Sequence, residues 1–263
     1  MYRQRRVQRC WGHLAVLLPV ILTVGCTTHR PAEAQPRRVL LVTGVDYPGH
    51  KWVETAPVLA RAIGADARLQ VTVTETPADL AGDLTAYDTT VLHFMDWEVP
   101  DPGPAARAGL ERFVREGGGL VLVHFACGAF QDWPEFVNIA GRVWDPELRA
   151  HDPYGEFQVH IIEPDHPTMQ GLEDFSTVDE LYTCLAGDVP IHVLATATSK
   201  VDHQDYPMAF VLEYGQGRVF HSVLGHDVQA LENPPVAAMF RNAAAWTAGL
   251  APVSAGALQG QGK

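Results

Sequence analysis

The chain has 263 residues, 47% of them hydrophobic, and carries 31 acidic against 19 basic side chains, for a formal net charge of −12. This acidic balance argues against a nucleic-acid-binding protein, because such binding depends on clustered lysine and arginine contacts to phosphate. The length and apolar content suit one α/β domain with a sizeable core.

The first 25 residues are typical of a bacterial export signal. Four arginines and no acidic residue precede an apolar run over residues 14–24, which is too short to span a bilayer. The run ends in Thr-Val-Gly-Cys and resembles a lipobox, so residues 1–25 are predicted to be a lipoprotein signal peptide and Cys26 the acylated first residue of the mature chain. Ordinary secretion is the alternative. Residues 26–37 are interpreted as a tether.

Cleavage of the signal peptide makes the expected protein still more acidic. It removes four basic side chains and no acidic ones, which leaves 15 basic against 31 acidic groups and a charge of −16. An anionic membrane surface would repel such a chain. We therefore expect an exported protein, periplasmic or on the cell surface, that contacts a membrane only through its lipid anchor.

The elements of the first half alternate as in a parallel sheet. Strands are predicted over residues 38–44, 69–75, 89–95 and 120–126, and helices over residues 53–65 and 103–116. Parallel neighbours need crossover connections, so this order predicts a mainly parallel, flavodoxin-like sheet with helices on both faces.

The second half changes character and closes the domain. Strands are predicted over residues 157–163 and 189–197, followed by a late antiparallel hairpin of residues 208–214 and 218–225, an amphipathic helix over 234–250 and a loose tail over 251–263. The domain is thus expected to span residues 38–250. Its glycines do not follow a strand in a phosphate-binding pattern, so no nucleotide cofactor is expected. The oligomeric state is left open.

Polar side chains follow several of the predicted strands. In an open α/β sheet, ligands bind beyond the carboxyl ends of the strands, so groups that are distant in sequence would meet there. The candidates at these ends are Asp46, His50, Asp96, His124, His226 and Asp227, to which His151, Asp179 and Glu180 are added from irregular segments. His124 could equally be a core histidine. The remaining histidines of the predicted strands and turns are interpreted as structural, among them His93, His160, His192 and His221.

Six sequence motifs, in order over residues 39–249, resemble the trehalose-utilisation (ThuA-like) family. They are GHKW, GGGLVLVHFA, the segment from WPEF to AHDP, DHPTMQGLEDF with DELY, YPMAF, and YGQGRVFHSVLGHD with the terminal tryptophan helix. The resemblance implies a class I glutamine amidotransferase-like fold, a three-layer α/β sandwich.

The resemblance also implies an activity on carbohydrates, on a glycoside such as trehalose or on one oxidised to a ketone at C3. A C3 carbonyl acidifies the C2 proton, so a base can remove that proton and the enolate can expel the group at C1. Glu180 and His226 are the expected bases, and His124 or a divalent metal such as zinc would hold the oxyanion. The expected metal ligands are His50, His124, His151 and His226, with Glu180 as a further ligand or as the base. The expected substrate-binding residues are Asp46, His50, Trp52, Asp96, Asp179 and Asp227.

Two other functions stay open at this point. One is a non-catalytic sugar-binding or scaffold lipoprotein, since a fold does not fix a function. The other is a thiol amidase: Cys127 follows a buried strand and a glycine follows it, as at the nucleophile of glutamine amidotransferases. The Gly-x-Cys-x-Gly pattern is incomplete here, however. Cys127 and Cys184 are therefore expected to be free, buried thiols.

Overall fold

The computed structural model describes residues 35–97, 99–183 and 185–252. The predicted signal peptide, the predicted acylation site at Cys26, and Cys184 lie outside the described residues, so the predictions about them remain predictions. Within these three ranges, no helix combines the length and the apolar character needed to cross a bilayer.

Nine strands form a single mixed sheet. They are β1 (Arg37–Val42), β2 (Leu69–Thr74), β3 (Thr89–Leu92), β4 (Gly119–Val123), β5 (Gly155–Ile161), β6 (Phe175–Asp179), β7 (His192–Thr198), β8 (Asp205–Tyr214) and β9 (Gly217–Ser222). Their order across the sheet is β2-β1-β3-β4-β9-β8-β7-β5-β6. Strands β1 to β4 and β9 pair in parallel, whereas the pairs from β9 through β8, β7 and β5 to β6 are antiparallel. The parallel first half and the late hairpin are thus confirmed. The sheet as a whole is mixed and not mainly parallel, because β7, β5 and β6 extend the antiparallel part beyond the hairpin.

Helices cover both faces of the parallel half. They are α1 (Trp52–Gly64), α2 (Pro104–Arg115), α3 (Phe136–Ala140), α4 (Val228–Glu232) and α5 (Pro234–Thr247). Side chains alternate between the two faces of β1: Val39 and Leu41 pack in the same core as α1 and α5, while Leu40 and Val42 pack with α2. Burial on both faces explains why this strand is apolar without alternation.

The structure differs from the sequence-based prediction at the end of β4. The strand was expected to continue to Ala126, but it ends at Val123, and residues His124–Gly128 form a 3-10 turn. His124 has a φ of 50°, in the left-handed region that non-glycine residues rarely occupy. Strand periodicity therefore assigned His124 to β4, whereas the residue is the first of the turn that follows the strand.

Replacing Gly109 in α2 by alanine is expected to destabilise the protein, although this change usually stabilises a helix. A Cβ atom at Gly109 would lie 2.0 Å from the carbonyl oxygen of Leu80, which is backbone and cannot easily move. We expect a loss of about 1 to 3 kcal/mol in the free energy of unfolding, measured by urea denaturation.

Gly64→Ala at the exposed end of α1 is the matched control. A Cβ atom there meets nothing nearer than a methyl group of Val71 at 3.9 Å. This variant should keep its stability or gain up to about 1 kcal/mol. Equal stability of the two variants would contradict the packing argument.

Candidate metal centre and catalytic site

Three histidines and one glutamate meet beyond the carboxyl ends of the parallel strands. His50 lies in the loop between β1 and α1, His124 directly follows β4, and His226 follows β9. Glu180 directly follows β6, at the far edge of the sheet, and reaches the same place. One nitrogen of each imidazole and one carboxylate oxygen all lie within 4.8 Å of one another. The expected convergence of remote histidines is therefore observed.

The spacing of these four atoms suits a shared cation. Glu180 Oε2 lies 3.2 Å from His226 Nδ1, 3.5 Å from His124 Nε2 and 3.9 Å from His50 Nε2. The two Nε2 atoms of His50 and His124 are 3.1 Å apart. Four ligands around zinc, at bonds of about 2.0 to 2.1 Å, are separated by roughly 3.3 Å in a tetrahedron. The described set has separations of this size.

The Nε2 atoms of His50 and His124 face each other, and hydrogen bonding leaves a lone pair on that of His124. His124 Nδ1 lies 2.8 Å from the carbonyl oxygen of Val223 and must donate its proton to it, so Nε2 carries the lone pair. His50 Nδ1 lies 3.1 Å from Asp46 Oδ1, an ion-pair contact that does not meet hydrogen-bond geometry. A carboxylate beside a histidine in this way is common at metal sites. Two lone pairs at 3.1 Å repel unless a proton or a metal cation lies between them.

The charges of the site favour a bound cation or proton. Burial disfavours the imidazolium of His50, but the carboxylates of Asp46 and Glu180 outweigh this effect and raise its pKa to about 9. Burial alone would raise the pKa of Glu180, but the surrounding histidines hold it far below its ordinary value. An ionised carboxylate with so low a pKa is a good metal ligand and a poor base.

Asp179 positions His226 and is not available to a substrate. Its side chain is fully buried, and its carboxylate accepts hydrogen bonds from the backbone N–H groups of Gly225 (2.7 Å) and His226 (3.2 Å). The expectation that Asp179 binds substrate is therefore not supported by its place in the structure. His226 Nδ1 is itself buried and makes no hydrogen bond to the described residues, as expected for a nitrogen reserved for a cation.

His151 lies beside the four-residue set and outside it. Its Nε2 atom is 3.6 Å from Glu180 Oε1, the oxygen that faces away from the other histidines. Its Nδ1 atom lies 2.7 Å from the carbonyl oxygen of Asp152, to which it donates. The side chain is 32% exposed, more than any member of the set. The structure thus places the fourth predicted metal ligand at the opening of the site.

Two further residues lie beside the cluster: Tyr182, which sequence reasoning missed, and His93, which it interpreted as structural. The hydroxyl group of Tyr182 lies 3.2 Å from His124 Nε2, and its ring stacks on His151. His93 is buried between the hydroxyl groups of Thr43 and Thr55, and burial lowers its pKa to about 4. The only signal for Tyr182 is its position two residues after Glu180, and His93 was interpreted as structural because it lies in an apolar strand.

Two predicted substrate-binding residues, Trp52 and Asp96, make no contact with the cluster among the described residues, and a third, Asp227, lies next to it in sequence. Trp52 begins α1 and has no ring contact or hydrogen bond with the cluster among the described residues. Asp96 is buried and accepts a hydrogen bond from the backbone of Phe130 at 2.8 Å; burial raises its pKa to about 6. Asp227 caps α4 by accepting from the N–H of Ala230, so it shapes the loop beside His226.

Cys127 does not have the surroundings of a nucleophile. Its side chain is completely buried in the core, and burial raises the pKa of the thiol well above its ordinary value. The residue that occupies the strained turn after β4 is His124, not Cys127. The thiol-amidase alternative therefore has no structural support, and the expectation of a free, buried thiol is confirmed for Cys127.

The fold and site define a mixed α/β protein with a histidine-rich pocket at the carboxyl edge of its parallel strands. A model of the trehalose utilisation family (ThuA) matches residues 38–247. The chain belongs to this family, as the sequence motifs indicated. No curated protein matches the chain.

Solved structures share the fold over both halves of the sheet. A ThuA-like protein from Parabacteroides merdae is 23% identical, with a TM-score of 0.74 over 84% of this chain and 93% of that one. A ThuA-like protein from Bacteroides uniformis is 19% identical, with a TM-score of 0.66 over 82% and 94%. A β-galactosidase from Bacillus circulans sp. alkalophilus is 15% identical, with a TM-score of 0.56 over 82% of this chain but 32% of its own.

In protein stripped of metal, His50 is expected to keep its proton up to a pH of about 9. Because the folded pKa lies above the ordinary value of 6.5, the contribution of His50 to stability is complete below pH 6.5 and is lost as the pH rises to about 9. Asp46→Asn removes one carboxylate and should lower the pKa of His50, which NMR titration of the chelated protein measures. Asp174→Asn, which removes the partner of His160, is the control. A His50 titration unchanged by Asp46→Asn would refute the pairing.

Proposed function

We propose that this protein is a metal-dependent carbohydrate-active enzyme that cleaves a glycoside already oxidised at C3, such as 3-keto-trehalose. The observation that carries the proposal is the set of His50, His124, His226 and Glu180, whose ligand atoms lie within 4.8 Å of one another. Membership of the trehalose utilisation family supports a carbohydrate as the substrate. The order β2-β1-β3-β4 also supports a flavodoxin-like parallel half.

These four residues fit a divalent transition metal such as zinc. Imidazole nitrogens and a carboxylate oxygen are ordinary ligands of that ion, and buried His226 Nδ1, 3.2 Å from Glu180 Oε2, makes no hydrogen bond to the described residues. When bound, the ion would supply a positive charge that stabilises an enolate oxygen.

The proposed reaction begins with removal of the proton at C2 of the oxidised ring. The C2–H electron pair enters the C3 carbonyl and forms the enolate. As the carbonyl is restored, the electrons form a double bond between C1 and C2, and the bond from C1 to the departing oxygen breaks. The departing oxygen takes up a proton, so the step is an elimination with no net change of charge. Addition of water across the new double bond would make the overall reaction a hydrolysis.

His151 is best placed to move that proton. Glu180 and His226, the bases expected from sequence, are ligands in this proposal: the buried His226 Nδ1 faces the metal, and the low pKa of the Glu180 carboxylate makes it a poor base. His151 donates its Nδ1 proton to a backbone carbonyl, which leaves Nε2 to accept one. Glu180 Oε1, at 3.6 Å, would stabilise the imidazolium that forms.

Protein purified without chelator is expected to contain one divalent metal ion per chain by elemental analysis and to convert 3-keto-trehalose. His226→Ala should bind less than half as much metal and lose about two or more orders of magnitude in turnover. His192→Ala is the matched control, because His192 is an exposed histidine outside the cluster that pairs with Glu163 and contacts the ring of His166.

The alternative of a non-catalytic sugar-binding protein makes the opposite forecast. It requires saturable binding of trehalose or its keto derivative without conversion, and no change in that binding for His226→Ala. Binding of either sugar without conversion, both in metal-free protein and after divalent ions are added, would overturn the proposed enzyme.

His151→Gln is expected to keep its metal and lose turnover. Glutamine can occupy a similar volume but cannot accept the C2 proton, so we expect about 100-fold slower conversion with a metal content equal to that of the unaltered protein. Elemental analysis and steady-state kinetics on one preparation measure both quantities. Loss of metal from this variant would show instead that His151 is a ligand.

A further inference from the structure

Two groups of aromatic side chains border the histidine cluster. The first wall consists of Tyr47, Trp97 and Trp144, from the loops that follow β1, β3 and α3. The second wall is the ring of Tyr154, which precedes β5. Both walls stand at the carboxyl edge of the parallel strands, where the proposed chemistry takes place.

The first wall is a continuous row of rings that begins at His50. The ring centroid of Tyr47 lies 6.5 Å from that of His50 and 5.4 Å from that of Trp97. The Trp97 ring lies 6.3 Å from that of Trp144. Phe125 packs behind the row, with its ring 4.7 Å from Trp144 and 4.9 Å from His50. A buried residue thus holds partly exposed rings in place.

The second wall covers a different histidine. The ring of Tyr154 lies 5.4 Å from that of His226, and its hydroxyl group donates a 2.7 Å hydrogen bond to Asp227. Asp227 in turn caps α4, so the ring is attached to an ordered element. Tyr154 is 43% exposed, and Tyr47 is 36% exposed. Such large exposed rings beside a polar cluster are typical of a binding surface.

We propose that the two walls are the two sugar subsites of this protein, one for each ring of a disaccharide. This inference rests on the proposed function. The C–H face of a pyranose is apolar and packs on an aromatic ring, while its hydroxyl groups stay at the edge, where they find polar partners. If one sugar ring packs on each wall, the glycosidic bond between the two sugars lies over His50 and His226. The imidazole rings of these two histidines are 4.8 Å apart.

The larger wall receives the oxidised ring. That ring must be held while its C2 proton is removed, and a larger contact restricts its motion more. The first wall offers three aromatic rings and the second wall one. The second wall therefore contacts the departing sugar, and Tyr154 sets the preference for a sugar over a small group at that position.

The test compares two ligands that differ only in the departing group: 3-keto-trehalose, and methyl 3-keto-glucoside with the same anomeric configuration. Calorimetric titration of metal-free protein measures binding without turnover. Trp97→Ala is expected to raise the dissociation constant of both ligands about tenfold or more, since the oxidised ring is common to them. Tyr154→Ala should raise it for 3-keto-trehalose alone.

Two further variants separate the ring contact from other effects. Tyr154→Phe keeps the ring and loses the bond to Asp227, so it should bind like the unaltered protein. Ile162→Ala changes a 50% exposed apolar residue just beyond the opposite end of β5 and should bind normally. If Tyr154→Phe binds 3-keto-trehalose as weakly as Tyr154→Ala does, the hydrogen bond to Asp227, and not the aromatic ring, is responsible for binding.

Several results would overturn the subsites. Normal binding by Trp97→Ala, or equal weakening of both ligands by Tyr154→Ala, excludes them while leaving the proposed reaction intact. The reverse pattern, in which Trp97→Ala affects only the disaccharide, overturns the assignment of the rings. Absence of binding by the unaltered protein to either ligand removes the subsites and the proposed substrate together.

Discussion

The site depends on one carboxylate, that of the largely buried Glu180, held among imidazoles. Glu180 has histidine nitrogens of His50, His124, His151 and His226 within 3.9 Å of its two oxygens. A buried negative charge is costly unless it is paired, and neutral imidazoles supply little compensation. A single proton on His50 would leave the carboxylates of Asp46 and Glu180 with a net charge of about −1. A divalent cation would balance both of them while keeping every imidazole neutral, which is why we favour it over a proton.

The backbone on two sides of the cluster fixes the positions of His124 and His226. His124 adopts a φ of 50°, a conformation that costs of order 1 to 3 kcal/mol for a residue with a side chain. Fully buried Asp179 fixes the opposite side through the N–H groups of Gly225 and His226. Burial raises the pKa of Asp179, so this second carboxylate adds less negative charge at low pH than Glu180 does. Packing of the sheet beneath the site offsets the backbone strain at His124 and the cost of burying Asp179.

Sequence patterns predicted the parallel half well because its strands are buried on both faces. Val39, Leu40, Leu41 and Val42 are all apolar and all buried. A buried strand could therefore be predicted here from these residues alone, without knowledge of the strands that pair with it. The same reasoning found His50 and His226, which lie where strands end. It could not place Glu180, because β6 is a five-residue edge strand and its route to the site depends on contacts between distant segments. It also could not tell His151 from the other three histidines, since they differ in which oxygen of Glu180 they approach and in exposure.

The position of the site follows from the joining of two different half-sheets. The parallel half brings His50, His124 and His226 to one edge, as any doubly wound sheet does with its strand ends. Three imidazoles alone would form an open, exposed site. The segments of the antiparallel half add Glu180, Tyr182 and His151, connected by the backbone bridge between His151 and Tyr182. One half thus supplies three imidazoles, and the other supplies the carboxylate and the exposed imidazole of His151. A change that loosened the antiparallel half would therefore separate Glu180 and His151 together from the other three histidines, even if the parallel core stayed folded.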